Sequence, residues 1–330
     1  MNIWQQMVAN YKARLDAQDY SLSFDQLADH RWTSPSFIMD VQQPYKMYFP
    51  MVSTAPGTAA RGFAIWGIDV AWCNPNTPYQ TLADHGARFG FCKLVHNEAR
   101  DNLMAAHVHG ITAAGMTLGG YYWGDPINYR RVQQQADAVK RAVDDILGAG
   151  LHLGRLTSDR EQWWGDWNKY NAAIRGEIPW TQVPVLPSSQ VLDFYANLQR
   201  LIGFEYHSSY SAKWYADRYP ALPYFGWAAS YFDYGLQPYP VTWDGFQNIL
   251  TTKLTAPLLP AKHEGRYEIW QFSSRIILPG MARLDLNVFN GDEAAFRQYF
   301  NLPAVPPEQP PLSDAEKLAL LWAAHPELHP

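Results

Sequence analysis

The sequence predicts an α/β fold, a barrel of the β/α type whose second half is irregular. Short apolar segments alternate with helix-like segments from residue 63 to about 215, which implies parallel strand pairing and favours a barrel over a sandwich. Later apolar segments, near 223–229, 267–272 and 283–289, follow one another with little helix between them. The chain has 330 residues, 47% of them hydrophobic, which is enough to bury a full core.

Three strands and one helix are predicted in the first part of the barrel. The apolar runs "FAIWGIDVAW" (63–72), "ARFGFCKLV" (87–95) and "MTLGGYYWG" (116–124) read as strands. The segment "DNLMAAHVHGITAAG" (101–115) has helical spacing, and Gly115 is placed to end that helix.

Two stronger helices follow, separated by a long connection. The segment 129–150 carries its apolar residues on one helical face, and 188–203 is a second helix. Further strands are predicted in 151–161 and near 203–210. The stretch "QWWGDWNKYNAAIRGEIPWTQVPVLPSS" (162–189) is longer and more aromatic than a simple βα connection, so we interpret it as an insertion that shapes a groove.

The chain divides into three parts. Residues 1–60 form an N-terminal extension of unassigned role, 61–302 the barrel, and 303–330 a Pro-rich linker with a short amphipathic helix. Ser313 and Glu316 form a capping-box pattern at the start of that helix. The helix either docks on the barrel or serves in self-association or attachment.

Composition excludes several classes of function. The net charge of −5 and the absence of a basic block argue against a nucleic-acid partner, and no apolar run is long enough to span a membrane. The first twenty residues lack the apolar centre of a signal peptide.

With only Cys73 and Cys92, no disulfide framework is expected, although the two could pair. We see no phosphate-binding or dinucleotide motif and no metal-ligand spacing, since the histidines of "HVHG" do not share a helical face, so no cofactor or metal is predicted.

Four acidic residues stand at predicted strand ends that should meet at one mouth of the barrel. They are Asp69 in "GIDV", Asp159 and Glu161 in "TSDRE", and Asp285 in "RLDLN". Clustered like charges cost free energy, so three strands that carry carboxylates to one place indicate chemistry rather than structure. The simpler alternative for "SDRE" is an exposed loop in which Asp159 caps the next segment.

The Asp-x-Glu spacing fits glycoside hydrolysis. Two residues apart on a strand, Asp159 and Glu161 point to the same face. Such a reaction needs one carboxyl group that stays protonated to act as an acid and an ionised partner beside it, and neighbouring negative charges raise the pKa of one member. The 14 Trp, 20 Tyr and 15 Phe residues add ring faces that suit sugars.

Several motifs in order resemble glycoside hydrolase family 25, the lysozyme-type muramidases of bacteria and their phages. These are "GIDV", the Asp-x-Glu at 159–161, "WAASY" (227–231), "WQFSS" (270–274) and "RLDLNVFNG" (283–291), so that the resemblance covers roughly residues 63–300. It implies a (β/α)5(β)3 barrel that cleaves the β-1,4 bond between N-acetylmuramic acid and N-acetylglucosamine in peptidoglycan.

The resemblance also implies roles for particular residues. Glu161 is the proton donor, and Asp159 positions either a water molecule or the acetamido group of the substrate, while Asp69 and Asp285 tune the acidic mouth. Gln271 is expected to hydrogen-bond the substrate. The aromatic residues expected to line the sugar-binding walls are Tyr122, Tyr206, Tyr210, Trp227, Tyr231 and Trp270.

One departure from the family pattern leaves alternatives open. The fourth strand reads "GRLTSDREQWW", so a direct match turns Arg160 towards the helix layer, a poor place for a guanidinium unless the strand has already ended. A register shifted by two residues would put Thr157 and Asp159 in the two roles. The chain could then be an inactive barrel that binds cell walls or serves in a virion, and a third interpretation is a chitinase-like N-acetylhexosaminidase.

The expected setting is a phage endolysin or virion-associated lysin made in the cytoplasm, with secretion as the alternative.

Overall fold

A computed structural model describes residues 65–219, 226–233, 236–254 and 267–303. The predicted N-terminal extension and the predicted C-terminal helix lie outside the described residues. In the described part of the chain, no helix combines the length and the apolar character needed to cross a membrane.

Eleven strands and eight α-helices are described. The strands are β1 Trp66–Val70, β2 Ala87–His96, β3 Ala99–Arg100, β4 Thr117–Trp123, β5 Arg155–Asp159, β6 His207–Ala212, β7 Trp227–Ala229, β8 Tyr239–Pro240, β9 Ile269–Ser273, β10 Ile276–Ile277 and β11 Asp285–Phe289. The helices are α1 Tyr79–Asp84, α2 Met104–Ala113, α3 Val132–Gly148, α4 Trp167–Ile174, α5 Ser188–Ile202, α6 Lys213–Arg218, α7 Trp243–Asn248 and α8 Glu293–Tyr299. Short 3-10 helices at Pro126–Arg131 and Trp180–Gln182 and a π-helical turn at Ile249–Lys253 complete the set.

Eight of the strands close into a barrel. Their order is β1, β2, β4, β5, β6, β7, β9 and β11, and β11 pairs with β1 to close the ring. Neighbours from β1 to β9 run parallel, whereas β11 is antiparallel to both of its neighbours. The predicted α/β barrel is therefore confirmed.

The strongest helix predictions are confirmed, and boundaries account for most of the differences. Helix α2 ends where expected, because Gly115 adopts a φ of +73° just beyond it. Gly203, with a φ of +68°, ends α5 in the same way. Strand β6 begins at His207 rather than at 203, and the sequence analysis did not identify the short helices α1, α4, α6, α7 and α8.

Side chains alternate between two cores, one inside the barrel and one beneath the helices. Phe91, Trp227 and Ile269 pack inside the barrel, where Phe300, just after α8, closes the bottom. Outward-facing residues such as Ile68 pack with the apolar faces of the helices. Because successive strand residues point to opposite faces, the sequence position of a residue decides which core it joins.

The direction of β11 corrects one expectation. Asp285 is the first residue of β11 rather than the last residue of a parallel strand. It reaches the mouth because β11 runs opposite to its neighbours, which places Asp285 directly across from Asp69 near the end of β1.

Candidate active site

A cleft with a volume of about 350 Å³ opens where the parallel strands end. This volume lies at the lower end of the range for small-molecule sites. Residues from the ends of β2, β4 and β5 and from the connections after β5 and β6 line it: Lys93, His96, Trp123, Asp159, Glu161, Trp163, Trp164, Tyr170 and Trp214.

Asp159 and Glu161 both line the cleft, and Arg160 between them points the other way. Strand β5 ends at Asp159, and the Arg160 guanidinium lies in the helix layer, 5.1 Å from the ring centre of Tyr195. Arg160 Nε donates a hydrogen bond of 2.9 Å to Ser158 Oγ. The helix layer therefore accommodates the cation that made the direct Asp-x-Glu match doubtful.

Thr157 does not belong to the cleft. It is fully buried, and its hydroxyl is 2.8 Å from that of Ser208. The shifted register, with Thr157 and Asp159 in the two roles, would bury one of its members inside the barrel.

Asp69 lies below the cleft and is held by two amide groups. Its Oδ2 accepts hydrogen bonds from Gln271 Nε2 at 2.8 Å and from Asn287 Nδ2 at 2.7 Å. Asn287 in turn accepts a hydrogen bond from the Trp227 indole at 2.8 Å. Only 6% of Asp69 is exposed, so its carboxyl group is fixed by the barrel interior.

The four carboxyl groups influence one another. The pKa of Glu161 lies well above its usual range. Burial of the carboxyl group is the largest cause, and the negative charges of Asp159 and Asp285 come next. Burial raises the pKa of Asp159 to about 7 and that of Asp69 to about 6. Burial and the charge of Asp69 also raise the pKa of Asp285 well above its usual range.

Lys93 opposes the accumulation of negative charge at three of the four acids. Its positive charge lowers the pKa of Asp69, Asp159 and Glu161. The Nζ atom of Lys93 lies 5.6 Å from the ring centre of Tyr121 and 5.9 Å from that of Trp123, distances typical of cation–π contacts. Neighbouring acids whose pKa values are raised in this way can carry out acid–base chemistry.

Three of the predicted sugar-wall residues lie elsewhere. Tyr122 is 1% exposed, faces the helix layer and pairs its hydroxyl with His207 Nε2 at 2.8 Å. Trp270 also faces outwards, where its indole donates to the Ser230 carbonyl at 2.7 Å. Tyr206 precedes β6 and contacts Arg155 at the opposite end of the barrel. None of the three presents a ring face to the cleft.

The other predicted binding residues support the acids from within the barrel. Tyr210 and Tyr231 each donate a hydrogen bond of 2.8 Å to Gln271 Oε1, and Gln271 holds Asp69. Trp227 is 2% exposed and packs 4.4 Å from Phe91, ring centre to ring centre. Gln271 is 3% exposed, so it positions Asp69 and is not placed to contact a substrate directly.

Several cleft residues were not identified from the sequence. Trp123 is the inward-facing neighbour of Tyr122, so strand alternation alone could have indicated it once the register was known. Trp214 follows β6 and is 47% exposed. Trp163, Trp164 and Tyr170 belong to the segment after β5 that was predicted to be a groove-forming insertion.

Comparison with known proteins gives likeness in structure only. No protein-family model matches the sequence, and no curated protein sequence matches it either. A family 25 glycosyl hydrolase from Bacillus anthracis superposes with a TM-score of 0.51 at 20% identity, over 74% of this chain and 96% of the other. The catalytic domain of endolysin ply40 from bacteriophage P40 of Listeria monocytogenes superposes with a TM-score of 0.50 at 15% identity, over 72% of this chain and 97% of the other.

The fold and the cleft thus define an α/β barrel protein with an acidic site at the mouth where the parallel strands end. More particularly, the chain has the fold of the family 25 glycoside hydrolases.

Proposed function

We propose that this chain is a peptidoglycan hydrolase, a lysozyme that cleaves the β-1,4 bond from N-acetylmuramic acid to N-acetylglucosamine. The observation that carries the proposal is the position of Glu161 in the cleft beside Asp159, with the charges of Asp69 and Asp285 close enough to raise its pKa. The two similar solved structures, a glycosyl hydrolase and an endolysin catalytic domain, support it.

Glu161 acts as the general acid. Its raised pKa favours the protonated carboxyl group, which can give a proton to the glycosidic oxygen as the bond breaks. Asp159 positions either the attacking water or the acetamido group of the substrate. Asp69 and Asp285 maintain the negative field that favours this protonation.

The natural substrate is a glycan strand of the cell wall, and the setting is phage lysis or a virion-associated lysin, with a secreted enzyme as the alternative. The competing function is an inactive barrel that binds cell walls or serves in a virion.

The test is the clearing of a suspension of purified cell walls by wild type, Glu161→Gln and Glu205→Gln. Glu205 is exposed and precedes β6, outside the cleft lining, so it controls for the loss of a carboxylate. We expect Glu161→Gln to lower the rate by about 10²- to 10⁴-fold and Glu205→Gln to leave it unchanged. New reducing ends should be muramic acid; glucosamine ends would instead indicate a different hexosaminidase. Wall binding without clearing by the wild type would identify the inactive module.

A further inference from the structure

The connection between β5 and α5 builds a wall of aromatic rings beside the acids. Four residues, Trp163, Trp164, Tyr170 and Trp180, form what we call the aromatic wall. Trp164 and Tyr170 stack with ring centres 3.7 Å apart, and Trp163 meets Trp164 edge to face at 6.0 Å. Trp180 lies 6.1 Å from Trp163 and is 50% exposed.

Hydrogen bonds hold the backbone under this wall in place. Trp164 forms an antiparallel bridge with Val185, and the carbonyl of Trp163 accepts the Leu186 N–H at 2.9 Å. A side chain also holds this backbone: the Tyr215 hydroxyl donates a hydrogen bond of 2.9 Å to the carbonyl of Gln162. The wall is therefore shaped before any ligand binds, which lowers the entropic cost of binding.

Buried side chains connect the same segment to the end of β4. Asp125, 1% exposed, accepts hydrogen bonds from Gln162 Nε2 at 2.9 Å and from Asn128 Nδ2 at 2.6 Å. Gln135 Oε1 accepts the Asp125 N–H at 2.9 Å. This contact fixes the wall relative to the strand that carries Trp123.

Three of the four wall residues line the cleft that holds the acids, and Trp180 extends the wall beyond that lining. Trp163, Trp164 and Tyr170 line it together with Asp159 and Glu161. The indole N–H of Trp164 is buried and makes no hydrogen bond, although Trp164 is 7% exposed as a whole.

We infer that the aromatic wall is a subsite for one further N-acetylhexosamine ring of the glycan strand, beyond the two sugars that flank the cleaved bond. The inference rests on the proposed function. Flat, rigid rings match the apolar face of a pyranose, and Trp163 in the cleft lining and the half-exposed Trp180 beside it offer such rings. The subsite makes the enzyme prefer long glycan strands.

Calorimetric titration tests this inference, with a purified peptidoglycan octasaccharide as the probe and Glu161→Gln as the parent so that the probe is not cleaved. Trp163→Ala and Trp180→Ala, each made in this parent, should weaken binding roughly tenfold, as expected for the loss of one stacking contact. Trp163→Phe keeps a ring and should restore part of the affinity. Tyr129→Ala is the control, since Tyr129 is 47% exposed and lies outside the cleft lining.

The outcomes separate this inference from the proposed function. Thermal melting of each variant shows whether the fold is retained, and the exposed Trp180 provides a variant that does not disturb the interior. If the parent binds the octasaccharide and both alanine variants bind equally well, the subsite is wrong while the hydrolase proposal stands. If the parent does not bind the octasaccharide and the wild type does not clear cell walls, the subsite and the hydrolase proposal are both wrong.

Discussion

Asp69 and Asp285 are directly opposite each other in the antiparallel pairing of β1 with β11. Side chains at opposite positions have Cβ atoms about 4.5–5.5 Å apart, and like charges there are destabilising. Asp69 accepts two amide hydrogen bonds that lower its pKa, and the charge of Asp69 is a cause of the raised pKa of Asp285. The barrel thus keeps a repulsive pair at its mouth.

The raised pKa values of the acids at the barrel mouth predict how stability depends on pH. The pKa values of Asp69 and Asp159, about 6 and about 7 in the folded protein, lie above the value near 4 expected in the unfolded chain. The unfolded state therefore loses its protons first as the pH rises, and the free energy of unfolding should fall from about pH 4 to about pH 7. Urea unfolding at a series of pH values measures this decline.

Asp285→Asn should reduce that decline. The variant removes a carboxyl group whose pKa is raised in the folded protein by burial and by the charge of Asp69, so it should be more stable than wild type at pH 7. The difference should disappear near pH 4, where the wild-type carboxyl groups are protonated in the folded state. Asp193→Asn, which removes an exposed carboxylate on α5, is the control for the loss of one charge. Equal stability of Asp285→Asn and wild type across the whole range would contradict the proposed repulsion.

Lys93→Met should shift the pH dependence of activity upwards. The charge of Lys93 lowers the pKa of Asp69, Asp159 and Glu161, so its loss should raise all three and move both limbs of the kcat/KM profile to higher pH. Lys93→Arg keeps the charge and should leave the limbs near their wild-type positions. A profile that moves equally in both variants would show that side-chain shape, not charge, is what matters.

Two neighbours on β4 should differ in their effect on activity. Trp123→Ala removes a ring that lines the cleft and should lower kcat/KM on cell walls about tenfold or more. Tyr122→Phe removes only the hydroxyl that pairs with His207 in the helix layer. It should cost about 1 kcal/mol of stability and leave kcat/KM unchanged. A loss of activity in Tyr122→Phe without loss of stability would place that residue at the site after all.

Two glycine substitutions test the packing of the barrel. A Cβ atom on Gly67 would lie 2.3 Å from the Phe89 carbonyl oxygen of the adjacent strand, so Gly67→Ala should lower the free energy of unfolding by about 1–3 kcal/mol or more. Gly148 ends α3, and a Cβ atom there would meet nothing within 4 Å. Gly148→Ala should stabilise the protein by up to about 1 kcal/mol. Equal effects in the two variants, measured by urea unfolding, would argue against close contact between β1 and β2.

The sequence alone determined the class of fold and the strands that carry acidic residues. Alternating apolar and helical periodicity is a local property of the chain, so the strands and the long helices α3 and α5 could be predicted from neighbouring residues. The same holds for Asp69, because it stands in an apolar run, whereas Asp159 was identified by its Asp-x-Glu spacing with Glu161.

Only the tertiary structure decided which side of each strand faces the cleft and in which direction the last strand runs. A slip of one residue turns every side chain of a strand to the other face, which is why Trp123 lines the cleft and Tyr122 does not. The antiparallel direction of β11, which places Asp285 across from Asp69, depends on pairing between segments more than 200 residues apart in sequence. Such long-range pairing depends on the closure of the whole barrel, and no local pattern records it.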